Sequence, residues 1–115
     1  MNKFIILYLA AGLVISTNVS AQCTPADAPT LVDGSLVELD AIVANQQEVK
    51  AYMSSANLYL ECLDKEEMTA ISTGVETEET KVVRDAFYNM TVDKMNLVAT
   101  DFNQEIQKFK AKGSN

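Results

Sequence analysis

Residues 35–63 read SLVELDAIVANQQEVKAYMSSANLYLECL, and the spacing within this stretch decides the fold. Leu39, Ile42, Gln46, Val49, Met53, Ala56, Leu60 and Leu63 recur at intervals of three and four residues. A helix turns once per about 3.6 residues, so these positions share one face. Neither Gly nor Pro interrupts Ser35–Ser72. Ser35-Leu36-Val37-Glu38 fits a capping box, in which Ser and Glu satisfy each other's free amides. A helix over about 35–68 is therefore predicted. Tyr52 and Tyr59, seven residues apart, flank its apolar stripe.

Beyond it, Thr73-Gly74 marks a linker. Two helix starts compete there, one at Thr73 and one at Thr77; Thr77 is the better, because Glu78-Glu79 then fall in the first turn. Val83, Phe87, Thr91, Met95, Val98, Phe102, Ile106 and Phe109 form a second stripe. Lys108, Lys110 and Lys112 suit a helix C-terminus, so the second helix is expected over about 77–111. The predicted fold is all-α: a long antiparallel helical hairpin over 35–115. Mean stripe spacings of about 3.4 and 3.7 residues do not share one supercoil period, so an ideal coiled coil is not expected.

Working outward, residues 22–34 hold both prolines, Pro25 and Pro29, and the turn pair Asp33-Gly34. They form an extended arm, since proline excludes regular helix around itself. Residues 1–21 read as a signal peptide. Lys3 precedes an apolar run from Phe4 to Ile15, and Val19-Ser20-Ala21 supplies a small-residue cleavage site. The run is shorter than the roughly 20 residues of a membrane span. The expected product is periplasmic or secreted, and soluble after signal cleavage.

Two cysteines, Cys23 and Cys62, remain after cleavage, and cysteines of exported chains pair. An intramolecular Cys23–Cys62 disulfide is expected, with an intermolecular bond as the rival. From Leu36 to Cys62 a helix rises about 39 Å. The twelve steps from Cys23 to Ser35 span at most roughly 40–43 Å. An intramolecular bond then draws the arm back along an unbroken helix almost taut, as a third, non-helical strand. Pro25, Ala28, Pro29, Leu31 and Val32 would cover apolar surface there. A break in the helix would leave the arm slack.

The composition removes several functions. The formal net charge is −7 and becomes −8 without Lys3, which argues against nucleic acid as a partner. There is no His, hence no Ser-His-Asp triad, no Cys-His nucleophile and no His-ligated zinc or haem. The four glycines are scattered and form no phosphate loop. No catalytic residues, metal ligands or cofactors are assigned, and the chain is read as not an enzyme. Asp64, Glu66 and Glu67 should meet Glu76, Glu78 and Glu79 at the hairpin tip. A solvated acidic tip is the favoured reading over a cation site. Gln46 is expected to bond across the hairpin, for example to Thr100, and to fix register.

Two helices cannot cover each other's flanks. Tyr52, Tyr59, Tyr88 and Met90 are therefore the candidate interaction face, for an unknown protein or envelope partner. A homodimer forming a four-helix bundle is one such partnership.

A further pattern runs through the chain. Cys23 is followed closely by Pro25 and Pro29. Val49-Lys50-Ala51-Tyr52, Tyr59-Leu60-Glu61-Cys62-Leu63, Tyr88-Asn89, Val92-Asp93, Phe102-Asn103 and Phe109-Lys110 come after it. This resembles a group of small secreted proteobacterial helical proteins with one Cys pair and no assigned function. The resemblance implies an exported helical protein and no activity. The expected role is a binding protein of the cell envelope. The alternatives are a structural small subunit of an envelope assembly, or a helical enzyme with a carboxylate-based site.

Overall fold

The computed structural model describes residues 23–113, so the expected signal peptide and its cleavage site lie outside the described residues. Two helices form the body: α1, Leu39–Ser72, and α2, Glu78–Lys112. At 1.5 Å per residue each is about 50 Å long. They lie side by side as a hairpin. Its tip is the turn at residues 73–77, and its base is where Leu39 and Lys112 lie.

The tip is built by its own residues. Thr73 caps α1, and Gly74 takes a left-handed backbone with φ 73°. The Gly74 amide then donates to the Ile71 carbonyl and the Val75 amide to the Ala70 carbonyl. This is the Schellman arrangement, which closes the last free carbonyls of a helix. Thr77 opens α2, with reciprocal bonds between Thr77 and Thr80. The choice between two start signals therefore falls on Thr77, with Glu78 and Glu79 in the first turn.

The start of α1 differs from the predicted one. No capping box forms at Ser35. Asp33 Oδ1 instead accepts from the Ser35 amide at 3.0 Å and from its hydroxyl at 2.6 Å. The Leu36 amide donates to the Asp33 carbonyl. Asp33 competes for Ser35 with a local turn, and this holds the chain out of helix until Leu39. At the other end α1 runs four residues past the expected Met68, because the Schellman closure sits at Thr73-Gly74.

The arm is a third, extended element. Cys23 is bonded to Cys62, with Cα atoms 5.6 Å apart. Asn45, only 2 % exposed, grips the arm seventeen residues nearer the base. Its Oδ1 accepts from the Val32 amide and its Nδ2 donates to the Thr30 carbonyl, both at 3.0 Å. Asn45 to Cys62 is about 26 Å of helix. Cys23 to residues 30–32 is seven to nine steps, at most roughly 23–32 Å. The arm is close to fully stretched between these anchors. The slack that the shorter α1 creates is taken up by the turn at Asp33.

Below Asn45 the arm crosses to α2. The Gly34 amide donates to Glu105 Oε2 at 2.8 Å. A Cβ on Gly34 would stand 1.8 Å from the Glu105 carbonyl oxygen, so only glycine passes there. Lys112 Nζ donates to the Val37 carbonyl and lies over the Phe109 ring.

The core is Val49, Tyr52, Ala56, Val98 and Phe102, with Ala26, Leu31, Met53, Met95 and Ile106 packed around it. Four expectations about packing change. Gln46 is exposed, and the buried polar residue is its neighbour Asn45, which serves the arm and not the register of the helices. Leu39 is exposed at the base. In the arm Ala26 packs inward, whereas Ala28 and Pro25 face solvent. Tyr52 and Tyr59, expected on an open flank, are 5 % and 6 % exposed.

Candidate functional site

The disulfide sets where the apolar surface opens. The arm stops at Cys62, and α1 and α2 continue to the tip without it. On the tip side Met68, Ile71, Val75, Val82, Val83 and Phe87 are all exposed. Val83 and Phe87 belong to the stripe that on the base side buries Val98 and Phe102. Nothing third lies over them among the described residues.

A groove of about 760 Å³ runs between the two helices here. Its apolar walls are Leu63 from α1 and Val82, Val83 and Phe87 from α2. Glu66 of α1 and Glu78 and Glu79 of α2 also line it. On α2 the lining runs from Glu78 to Phe87, about 15 Å of helix, and on α1 it is confined to Leu63 and Glu66.

The charges around it are unequal in their freedom. Arg84 Nη1 donates to Glu76 Oε2 at 2.7 Å, with both side chains largely buried. Glu76 also accepts from the Thr80 hydroxyl at 2.8 Å. Arg84 and Thr80 hold the Glu76 carboxyl below its ordinary pKa, and Glu76 in turn raises that of Arg84. Lys81 is paired with Asp85 one turn on, at 2.7 Å, and its pKa is raised by that partner. Arg84, which lines the groove, is thus committed to Glu76, and Lys81 to Asp85.

The expected interaction face separates into three parts. Tyr52 and Tyr59 form the floor of a slot of about 340 Å³ beside Pro25, Ala26 and Ala56. Burial raises the pKa of the Tyr52 phenol. They cannot serve as an open face because the arm lies over them. Met90 lines the rim of the same slot and is 64 % exposed. Tyr88 points to another flank, against Leu63, Asp64, Glu67, Arg84 and Asp85. Phe87 borders both the slot and the larger groove.

Phe87, Val82 and Val83 were the signal missed at the level of sequence. The position of Cys62 held it: a strap ending halfway along a hairpin leaves the far half uncovered. The acidic residues of the tip are not gathered into a metal-binding group of three or more among the described residues. Nor is any described helix long and apolar enough to cross a membrane.

No protein-family model matches this chain, no curated protein resembles it, and no solved structure matches it.

Proposed function

We propose that the chain is an exported binding protein of the cell envelope, periplasmic or secreted, which holds a partner in the tip groove. The observation that carries this is the contrast along one stripe: Phe102 is 5 % exposed and Phe87 is 49 % exposed. Apolar residues gathered in an uncovered groove mark contact sites on small proteins. The disulfide supports export, because such bonds persist in oxidising compartments. The Schellman turn and the Glu76–Arg84 pair hold the groove walls in place without a ligand.

A photo-crosslinking side chain at Val83, compared with one at Lys50 on the base half, tests this in intact cells. A discrete adduct from position 83 and none from position 50 is expected. Absence of any adduct from position 83 in correctly exported protein would reject the reading.

A second reading is a structural subunit of an envelope assembly. The exposed Leu36, Leu39 and Val43 at the base favour it, since they give the molecule apolar surface at both ends. Adducts from positions 43 and 83 to two different proteins would identify that arrangement.

A further inference from the structure

We propose that the tip groove receives the apolar face of a cationic amphipathic helix from a partner protein. This rests on the binding role given above and names the chemistry of the occupant.

The walls and the rim select for different properties. Leu63, Val82, Val83 and Phe87 offer an apolar trough. Glu66 stands on its α1 side, and Glu78 and Glu79 on its α2 side. From Leu63 to Met90 the chain carries seven acidic residues and three basic ones. Arg84 and Lys81 are already matched by Glu76 and Asp85. Of the five carboxylates left, Glu66, Glu78 and Glu79 line the groove, and Asp64 and Glu67 lie on the neighbouring flank with Tyr88. Glu78 and Glu79 lie in the first turn of α2, where the helix N-terminus favours negative charge. An occupant must therefore place apolar side chains in the trough and positive charge beside the rim. A helix with an apolar stripe and flanking Lys or Arg meets both demands, in the helix-in-groove mode. The α2 wall from Glu78 to Phe87, about 15 Å long, matches roughly three turns of it.

The other occupants fit less well. A second copy related by twofold symmetry would set acidic tip against acidic tip, and like charges across an interface repel. An anionic membrane surface is repelled for the same reason. An extended peptide has no sheet edge to pair with, since the described residues form helices, turns and an arm.

The test uses the oxidised mature protein and three fluorescent synthetic helices of about 14 residues, roughly four turns. They share one Leu/Val face and differ in the polar face: Lys/Arg, Gln or Glu. Fluorescence anisotropy should show the cationic helix binding about tenfold or more tighter than the Gln helix, and weakening as salt rises from about 0.02 to 0.25 M. The Glu helix should not bind. The triple variant Glu66→Gln, Glu78→Gln, Glu79→Gln should bring the cationic helix to the level of the Gln helix. Phe87→Asp should abolish binding of both while leaving the circular dichroism spectrum unchanged.

Equal binding of all three helices overturns the charge selection and leaves the groove standing. Binding that survives Phe87→Asp, or no binding of any helix, overturns the groove as well. Sedimentation showing a dimer that Phe87→Asp dissolves makes a second copy the occupant and overturns this proposal alone.

Discussion

On the base side of Cys62 the seam between α1 and α2 is roofed by a third element; on the tip side, among the described residues, the same two helices run bare. Phe102 and Phe87 lie fifteen residues apart on one stripe of α2, yet only the first is buried. Met53 and Met95 pack against the core, whereas Met68 on the tip side is exposed. The helix pattern is the same on both sides. The difference is the arm, and the lesson is that amphipathic spacing reports which face is apolar without saying whether anything will cover it.

The largest expected effect comes from removing the distinction itself. A loop of about 40 residues closed by a disulfide is worth about 4 kcal/mol in the chain-entropy model. Replacing Cys23 and Cys62 by Ser should lower the unfolding free energy by about that much in urea titrations. The amides of residues 49–56 should then exchange nearly as fast as those near the tip. Protection unchanged by the double substitution would mean that the arm does not depend on its bond.

Phe102→Ala comes next, at about 3–4 kcal/mol, because it empties a buried site. Asn45→Ala follows, at about 2 kcal/mol, since it leaves the Val32 amide and the Thr30 carbonyl without partners. Its signature should be local: faster exchange at Val32, with the tip amides unaltered.

Acid should act more gently, and mainly through three carboxylates. Lys108 and then the Gly34 amide hold Glu105 below its ordinary carboxylate pKa, and Arg84 does the same for Glu76. The Ser35 hydroxyl and amide lower Asp33 likewise. A lowered native pKa means that the unfolded chain takes up protons first as pH falls. The stabilisation is thus present above the usual carboxylate range, about pH 4, and is lost progressively below it. The thermal midpoint should fall between about pH 5 and 3, and Glu105→Gln should flatten that slope.

The smallest effect is the sharpest contrast. Phe87→Ala should change stability by no more than about 0.5 kcal/mol, as for an ordinary exposed position. A loss comparable to that of Phe102→Ala would show that the tip half is packed and would remove the groove.

Much of this fold is written in local patterns. Stripes at three and four residues, Thr77 with its acidic first turn, and one cysteine at each end of the arm's reach lead directly to a strapped hairpin. The predicted Ser35 cap went wrong because two hydrogen-bonding schemes compete for the same hydroxyl, and Asp33 is closer. Asn45 escaped notice because the stripe was aligned on Gln46, one position away. Its partners are backbone groups of the arm, which side-chain periodicity does not encode. Tyr52 and Tyr59 were placed on an open flank because two helices alone leave such a flank. The grooved tip follows from where Cys62 falls, a geometric fact about the whole chain that no short motif carries.

The disulfide also decides where the described arm begins. Cys23 is held at the waist of the hairpin beside Leu63, whereas Gly113 follows the end of α2 at the base, about 35 Å away along α1. A tag or domain fused directly ahead of Cys23 is therefore joined at the waist of the hairpin, near Cys62. Cargo attached after Gly113 is joined at the base, at the opposite end of the hairpin from the tip groove.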